Sequence, residues 1–115
     1  MELTLNGDGP VDIVTVHAER IDAVGAVAFK DAFRAKAQGR NGTVVLDLHQ
    51  VTFLDSSGLG AVVAAQKILG NERKLELACL QDAVAKVMSL TRMDTVFRIH
   101  TNIAAAEASH SSSAA

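Results

Sequence analysis

The stretch TVVLDLHQVTFLDSSGLGAVVAAQ, residues 43–66, decides how this chain is read, because its hydrophobic pattern changes period partway along. TVVLDL (43–48) is short, β-branched and nearly continuous in apolar character, as expected of a strand covered on both faces. After the DSSG turn, residues 57–69 read as a helix. A buried strand passing through a turn into a helix is the unit from which parallel sheets with crossover connections are built.

The flanking segments extend that unit. ELTL (2–5) and VDIVTV (11–16) alternate in strand fashion, and the turn formers NGDGP lie between them, which predicts an antiparallel hairpin at one sheet edge. Asp22 offers a cap to a helix over 23–38, in which Ala26, Phe29, Phe33 and Ala37 recur at helical spacing before Gly39 stops it. Downstream, NERK reads as a turn and KLELAC (74–79) as a strand. Residues 81–90 form a helix with Val84, Val87 and Met88 on one face, VFRI (96–99) is extended, and a last helix covers about 102–108. The expected class is α/β: a mixed, mostly parallel sheet of four or five strands with about four helices. Residues 1–108 make a single domain, and 109–115, small and polar without periodicity, a flexible tail.

Composition narrows the function classes. The 115 residues are 49 % hydrophobic, enough for one compact core, and the net charge of −2 comes without any basic cluster interleaved with aromatics. Nucleic acid is therefore not an expected partner. The lone Cys79 cannot form an internal disulfide, MELTLNGDG lacks the basic and apolar regions of a secretion signal, and a cytoplasmic location is expected. The longest run free of polar side chains, Gly58 to Ala65, falls far short of the ~20 residues a membrane span needs, so direct membrane insertion is not expected. Four Phe, no Trp and no Tyr leave little aromatic surface for a cofactor cleft, and no cofactor is expected.

The chemistry concentrates at the DSSG turn. Loops leaving the C-terminal ends of parallel strands lie along one edge, where such folds place their sites. Asp22 and Asp55-Ser56 both fall in such loops, so Asp22 and Ser56 are expected to approach each other. Ser56 and Ser57 lie in the first helical turn, where unpaired N–H groups and the helix dipole favour an anion. Around that helix, Leu59, Val62, Val63 and Leu69 share one face with Gln66, which suits the sheet. Ser57, Gly60, Ala61, Ala64 and Ile68 share the opposite face, where a solvated helix would carry Glu and Lys, and this predicts a docking face. An N-cap role is sufficient for one of Asp55, Ser56 and Ser57, and it explains Asp55 well. Asp22 reads equally as a cap or as a functional acid, and Ser57 as a helix-terminus hydroxyl.

Other chemistries find no support in the pattern. His17, His49, His100 and His110 have no metal-ligand spacing, so no metal site is expected. Neither serine sits in G-x-S-x-G: Leu54 takes the first glycine position for Ser56, and Asp55 and Leu59 take both for Ser57. No P-loop occurs, and Cys79, Met88 and Met93 read as core or near-core residues.

VTFLDSSGLG, preceded by TVVLDL and followed by a helix, resembles the phosphorylation loop of STAS domains, specifically the bacterial anti-sigma factor antagonists. The likeness runs over about residues 2–108 and includes Ile21-Asp22 and MDTVFRI near the end. It implies a STAS-type sheet and a partner that is both anti-sigma factor and serine kinase. It also implies that Ser56 is the phosphorylated serine, with Asp22, Asp55, Ser57 and Gly58 supporting the site. ATP and magnesium then belong to the kinase, a metal-dependent serine phosphatase restores the hydroxyl, and the domain itself is no enzyme. Where this family often has Gly and Ser, the chain has Glu19 and His49. An alternative that the resemblance leaves open is a STAS subunit constitutively docked in a membrane transporter complex, with Ser56 as a structural cap.

Overall fold

The computed structural model describes residues 1–111. Strands β1 (Glu2–Asn6) and β2 (Asp12–His17) form the antiparallel hairpin, with Leu3 opposite Val16 and Leu5 opposite Val14. Then follow β3 (Arg20–Ile21), α1 (Ala23–Ala37), β4 (Val44–Asp47), β5 (Phe53–Leu54), α2 (Ser56–Leu69), β6 (Leu75–Ala78), α3 (Asp82–Leu90), β7 (Ile99–His100) and α4 (Ile103–Ser111). The main sheet has the order β1-β2-β4-β6-β7, with every pairing after the hairpin parallel. β3 and β5 form a separate two-stranded parallel sheet that the alternation did not disclose, since two residues are too few to show a period.

TVVLDL lies at the centre, as its apolar run requires, with all of β4 buried. Val44 and Leu46 join a large cluster with Phe29 and Phe33 of α1, Val62 and Ala65 of α2, and Val84 and Met88 of α3. Val45 points the other way, into a small cluster with Ile13, Ala78 and Ala106 of α4. Among the described residues, three helices therefore cover one sheet face and α4 covers part of the other. Phe29 and Phe33, one helical turn apart, stack at 5.9 Å between ring centroids. Gln66 ties α2 to the start of β6, its amide donating to the Arg73 carbonyl and its oxygen accepting from Leu75 N–H.

Two boundaries differ from the sequence reading. The VFRI segment is strand only at Ile99, because Val96 and Phe97 N–H donate to the Met93 carbonyl in a 3-10 turn over Met93–Thr95 instead of joining the ladder. Phe97 is buried as a plug while Val96 faces solvent. The last helix runs to Ser111, so residues 109–111 of the expected tail form its final turn, and 112–115 lie outside the described residues. The His110 imidazole reaching Glu76 gives that turn a tertiary anchor.

The opposite end of the sheet is held by charge. Arg73, almost fully buried, donates to Asp12 at 2.9 Å and to the carbonyls of Ala37, Asn41 and Gly42, while Arg40 makes a two-bonded pair with the same carboxylate. The Arg40 hydrogen bond holds the Asp12 carboxyl below its ordinary value, against burial and with help from Arg73. Removing one partner of a buried pair costs ~3–5 kcal/mol, whereas an exposed helical pair such as Asp31–Arg34 contributes under ~1 kcal/mol. Asp12→Ala is therefore expected to lower stability to denaturant far more than Asp31→Ala. Because the folded pKa of Asp12 lies below its unfolded value of 3.8, its stabilisation is complete above that pH and is lost as pH falls through the folded pKa. Acid unfolding curves should show this loss below about pH 4 in the wild type, and a shallower one in Asp12→Ala.

Candidate functional site

The small sheet assembles the site. Arg20 pairs with Phe53 and Ile21 with Leu54, so the residues that follow, Asp22 and Asp55, emerge at neighbouring positions. Each caps a helix in the same way: Asp22 accepts from Gly25 N–H at 3.0 Å and Asp55 from Gly58 N–H at 2.8 Å. The start of α1 and the start of α2 thus lie side by side, as the expected approach of the Asp22 loop to Ser56 requires. Thr52 and Phe53 N–H donate to the Glu19 carbonyl and fix the entry into this sheet. Glu19 keeps a negative φ, so the loop forms without glycine there, and its side chain is exposed.

Gly58 makes the closeness sterically feasible. A side chain there would run into the Ile21 backbone carbonyl, and a Leu54 methyl lies 2.8 Å from the position its Cβ would take. The role is packing, since the φ of Gly58 is not positive. Gly60, two residues on, has nothing within 4 Å of a built Cβ and is exposed, so neither packing nor backbone geometry asks for glycine.

Ser56 is the first residue of α2 and is exposed, as is Ser57. The first intrahelical bond runs from Leu59 N–H to the Asp55 carbonyl at 2.8 Å, and Gly58 N–H is taken by the Asp55 side chain. The Ser56 and Ser57 N–H groups therefore stay outside the helical ladder, the arrangement that favours a bound anion at a helix start. Among the described residues no hydrogen bond engages either hydroxyl. The Asp22 carboxyl is held below the usual carboxylate range chiefly by the Gly25 N–H, against desolvation and with the help of Arg20, whose Nε lies 3.5 Å away.

The expected docking face needs one correction. Ala61 is 2 % exposed and belongs to the core, so it cannot be part of an open surface. α2 is wedged between the sheet and α1, and its buried arc is Gly58, Ala61, Val62 and Ala65, small residues where backbones come closest. Leu59, Val63 and Leu69, expected against the sheet, pack at its margin instead. Ser57 and Gly60 are open, and Ala64 and Ile68 are half-buried.

Several neighbours escaped the sequence reading. Val24 and Val27 of α1 are 87 % and 60 % exposed, an apolar pair beside the two helix starts. Their signal was present, since Ala26, Phe29, Phe33 and Ala37 already use the core face and leave both valines on another. Arg20 lies over the Phe53 ring at 4.1 Å, an exposed cation–π pair that becomes visible only once β3 and β5 are known to pair. His49, in the loop after β4, is half-exposed, with Nδ1 3.0 Å from Asp47 Oδ1.

A family model described as STAS domain matches residues 3–106. Among solved structures, an anti-sigma factor antagonist from Mycobacterium paratuberculosis is similar at 27 % identity and TM-score 0.83, over 95 % of this chain and 92 % of that one. The Bacillus cell fate determinant SpoIIAA in its phosphorylated form is similar in fold at 17 % identity and TM-score 0.59, over 87 % and 92 %. The fold also recurs in the murine anion transporter Slc26a9, at 18 % identity and TM-score 0.72, where 85 % of this chain matches 17 % of that one.

The two glycines of α2 give a paired test. Gly58→Ala forces a methyl against the Ile21 carbonyl and is expected to cost ~1–3 kcal/mol. Gly60→Ala places the same methyl in open space and should gain ~0.5–1 kcal/mol from the better helix former. Denaturant midpoints that move in opposite directions establish the close approach; equal shifts would refute it.

Proposed function

The chain belongs to the STAS domain family, and from that premise we propose that it is an anti-sigma factor antagonist of a cytoplasmic partner-switching pathway. Unphosphorylated, it docks an anti-sigma factor that is also a serine kinase and so frees a sigma factor; phosphorylated on Ser56, it lets go. The observation that carries this reading is an exposed serine at an N-capped helix start beside an exposed glycine that the fold does not require. A glycine there lowers helix stability yet lets another backbone come close. Gly60, Ser57, Ala64 and Ile68 of α2 form the proposed docking face, continued by Val24 and Val27 of α1.

In the forward step the Ser56 oxygen forms a bond to the γ-phosphorus of the kinase's ATP, ADP leaves, and the hydroxyl proton is given up. In the reverse step a metal-dependent serine phosphatase directs water onto the phosphorus, inorganic phosphate leaves, and the serine oxygen regains a proton. Magnesium and ATP belong to the kinase, and this domain acts as substrate and ligand. Asp55 and Asp22 cap the two helix starts. A phosphoserine brings ~1.5–2 negative charges to a site flanked by those carboxylates. Docked against an apolar partner, that charge must be desolvated or repelled, which opposes binding more than it disturbs the fold.

A second reading is supported by the likeness to the anion transporter: a constitutively docked transporter subunit with Ser56 as a helix-terminus hydroxyl. The two differ in what substitution does. In the antagonist reading, Ser56→Asp weakens binding to the anti-sigma kinase about a hundredfold, ~2.7 kcal/mol, while Ser56→Ala retains full affinity and no longer responds to ATP. Titration calorimetry with both variants checks this, and equal affinities would contradict it. In the transporter reading the protein sediments with membranes whatever occupies position 56.

A further inference from the structure

On the sheet face away from Ser56, three titratable side chains far apart in sequence meet under α4. Glu76 of β6 accepts through Oε1 from His100 Nε2 of β7 at 2.7 Å and from His110 Nε2 of α4 at 2.9 Å. Glu76 and His100 are buried, and the His110 side chain is 24 % exposed. The helix that delivers His110 has a slender apolar anchor in this face, mainly Ala106 and the partly buried Ile103. A carboxylate and two imidazoles are costly to bury, and aliphatic side chains would fill this space with less desolvation.

We propose that Glu76, His100 and His110 form a binding site for a divalent ion of the zinc, cobalt or nickel class, which pins α4 to the sheet. One oxygen and two imidazole nitrogens suit such borderline ions better than magnesium or calcium, which take oxygen ligands. The three ligand atoms lie within 4.8 Å of one another. Tetrahedral bonds of ~2.0–2.2 Å place ligand atoms about 3.3–3.5 Å apart, so the ion enters once the hydrogen-bonded trio opens by roughly half an ångström. His110, on the last turn of α4 and 24 % exposed, is the ligand at the solvent edge and supplies the entry path. Three protein ligands leave a fourth position for water on the solvent side.

The proton balance is simple. A neutral imidazole frees Nε2 by carrying its proton on Nδ1 instead, and a cationic one releases a proton to solvent. Glu76 offers the same Oε1 that already meets both imidazoles. Neither histidine is near the other in sequence, which is why spacing gave no ligand motif. The parallel register brings His100 beside Ala78, and α4 lies back over β6.

The full chain, stripped with chelator and titrated with cobalt(II), is expected to bind one equivalent with the intense visible bands of tetrahedral coordination. Zinc should displace the cobalt and raise the thermal midpoint. His110→Ala, a partly exposed position, should fold normally by far-ultraviolet circular dichroism and lose at least about 100-fold in affinity, more than loss of an outer-shell partner causes. Glu76→Gln gives a second ligand deletion, and His17→Ala, on the hairpin, should bind as the wild type does. Absence of the tetrahedral spectrum in the wild type, or its survival in both ligand variants, would overturn the site and leave a hydrogen-bonded trio only.

Discussion

Everything at the end that carries Ser56 depends on one close contact, the Ile21 carbonyl lying against the α-carbon of Gly58. It lets α2 begin directly beside the loop that begins α1. Two strand residues on each side, Arg20-Ile21 and Phe53-Leu54, hold the contact in register, and the Glu19 carbonyl closes the entry by accepting from Thr52 and Phe53. The consequence is that two helix starts and their capping aspartates lie side by side, with Ser56 exposed on α2 and Val24 and Val27 exposed on α1. No single element could present this arrangement, because the residues come from two loops and two helices.

The same sheet separates two tasks. One face, under α1, α2 and α3, carries the large core on which the helix starts rest. The other is covered by α4, whose contacts are few and whose His110 reaches the buried Glu76. The proposed phosphorylation of Ser56 would change charge on a surface that is already formed, whereas occupation of the Glu76 trio would change how firmly the last helix is held. The Asp12–Arg73–Arg40 network secures the end opposite the strands' carboxyl termini, so neither region is asked to stabilise the whole.

Much of this was legible in the residues. The apolar run at 43–48 placed β4 in the middle of the sheet, and the 3.6-residue spacing of Ala26, Phe29, Phe33 and Ala37 gave the buried face of α1 correctly. The helical spacing of α2 puts Val62 on its buried face but not Ala61, which is buried too. Leu59 and Val63 looked like core, yet where backbones nearly touch the small residues Gly58, Ala61 and Ala65 are the ones that fit. The β3–β5 pair and the meeting of Glu76 with two histidines were invisible for a different reason. Both are made by contacts across more than twenty positions, and no local period or spacing encodes such contacts.

The most direct measurement is intact-mass spectrometry of the protein isolated from its own cells, in growth and under stress, with peptide mapping across residues 44–67. The expected result is a phosphate-sized mass gain on Ser56 that is partial and changes with condition. Ser56 found unmodified in every condition, or phosphate found on Ser57 instead, would contradict the switch.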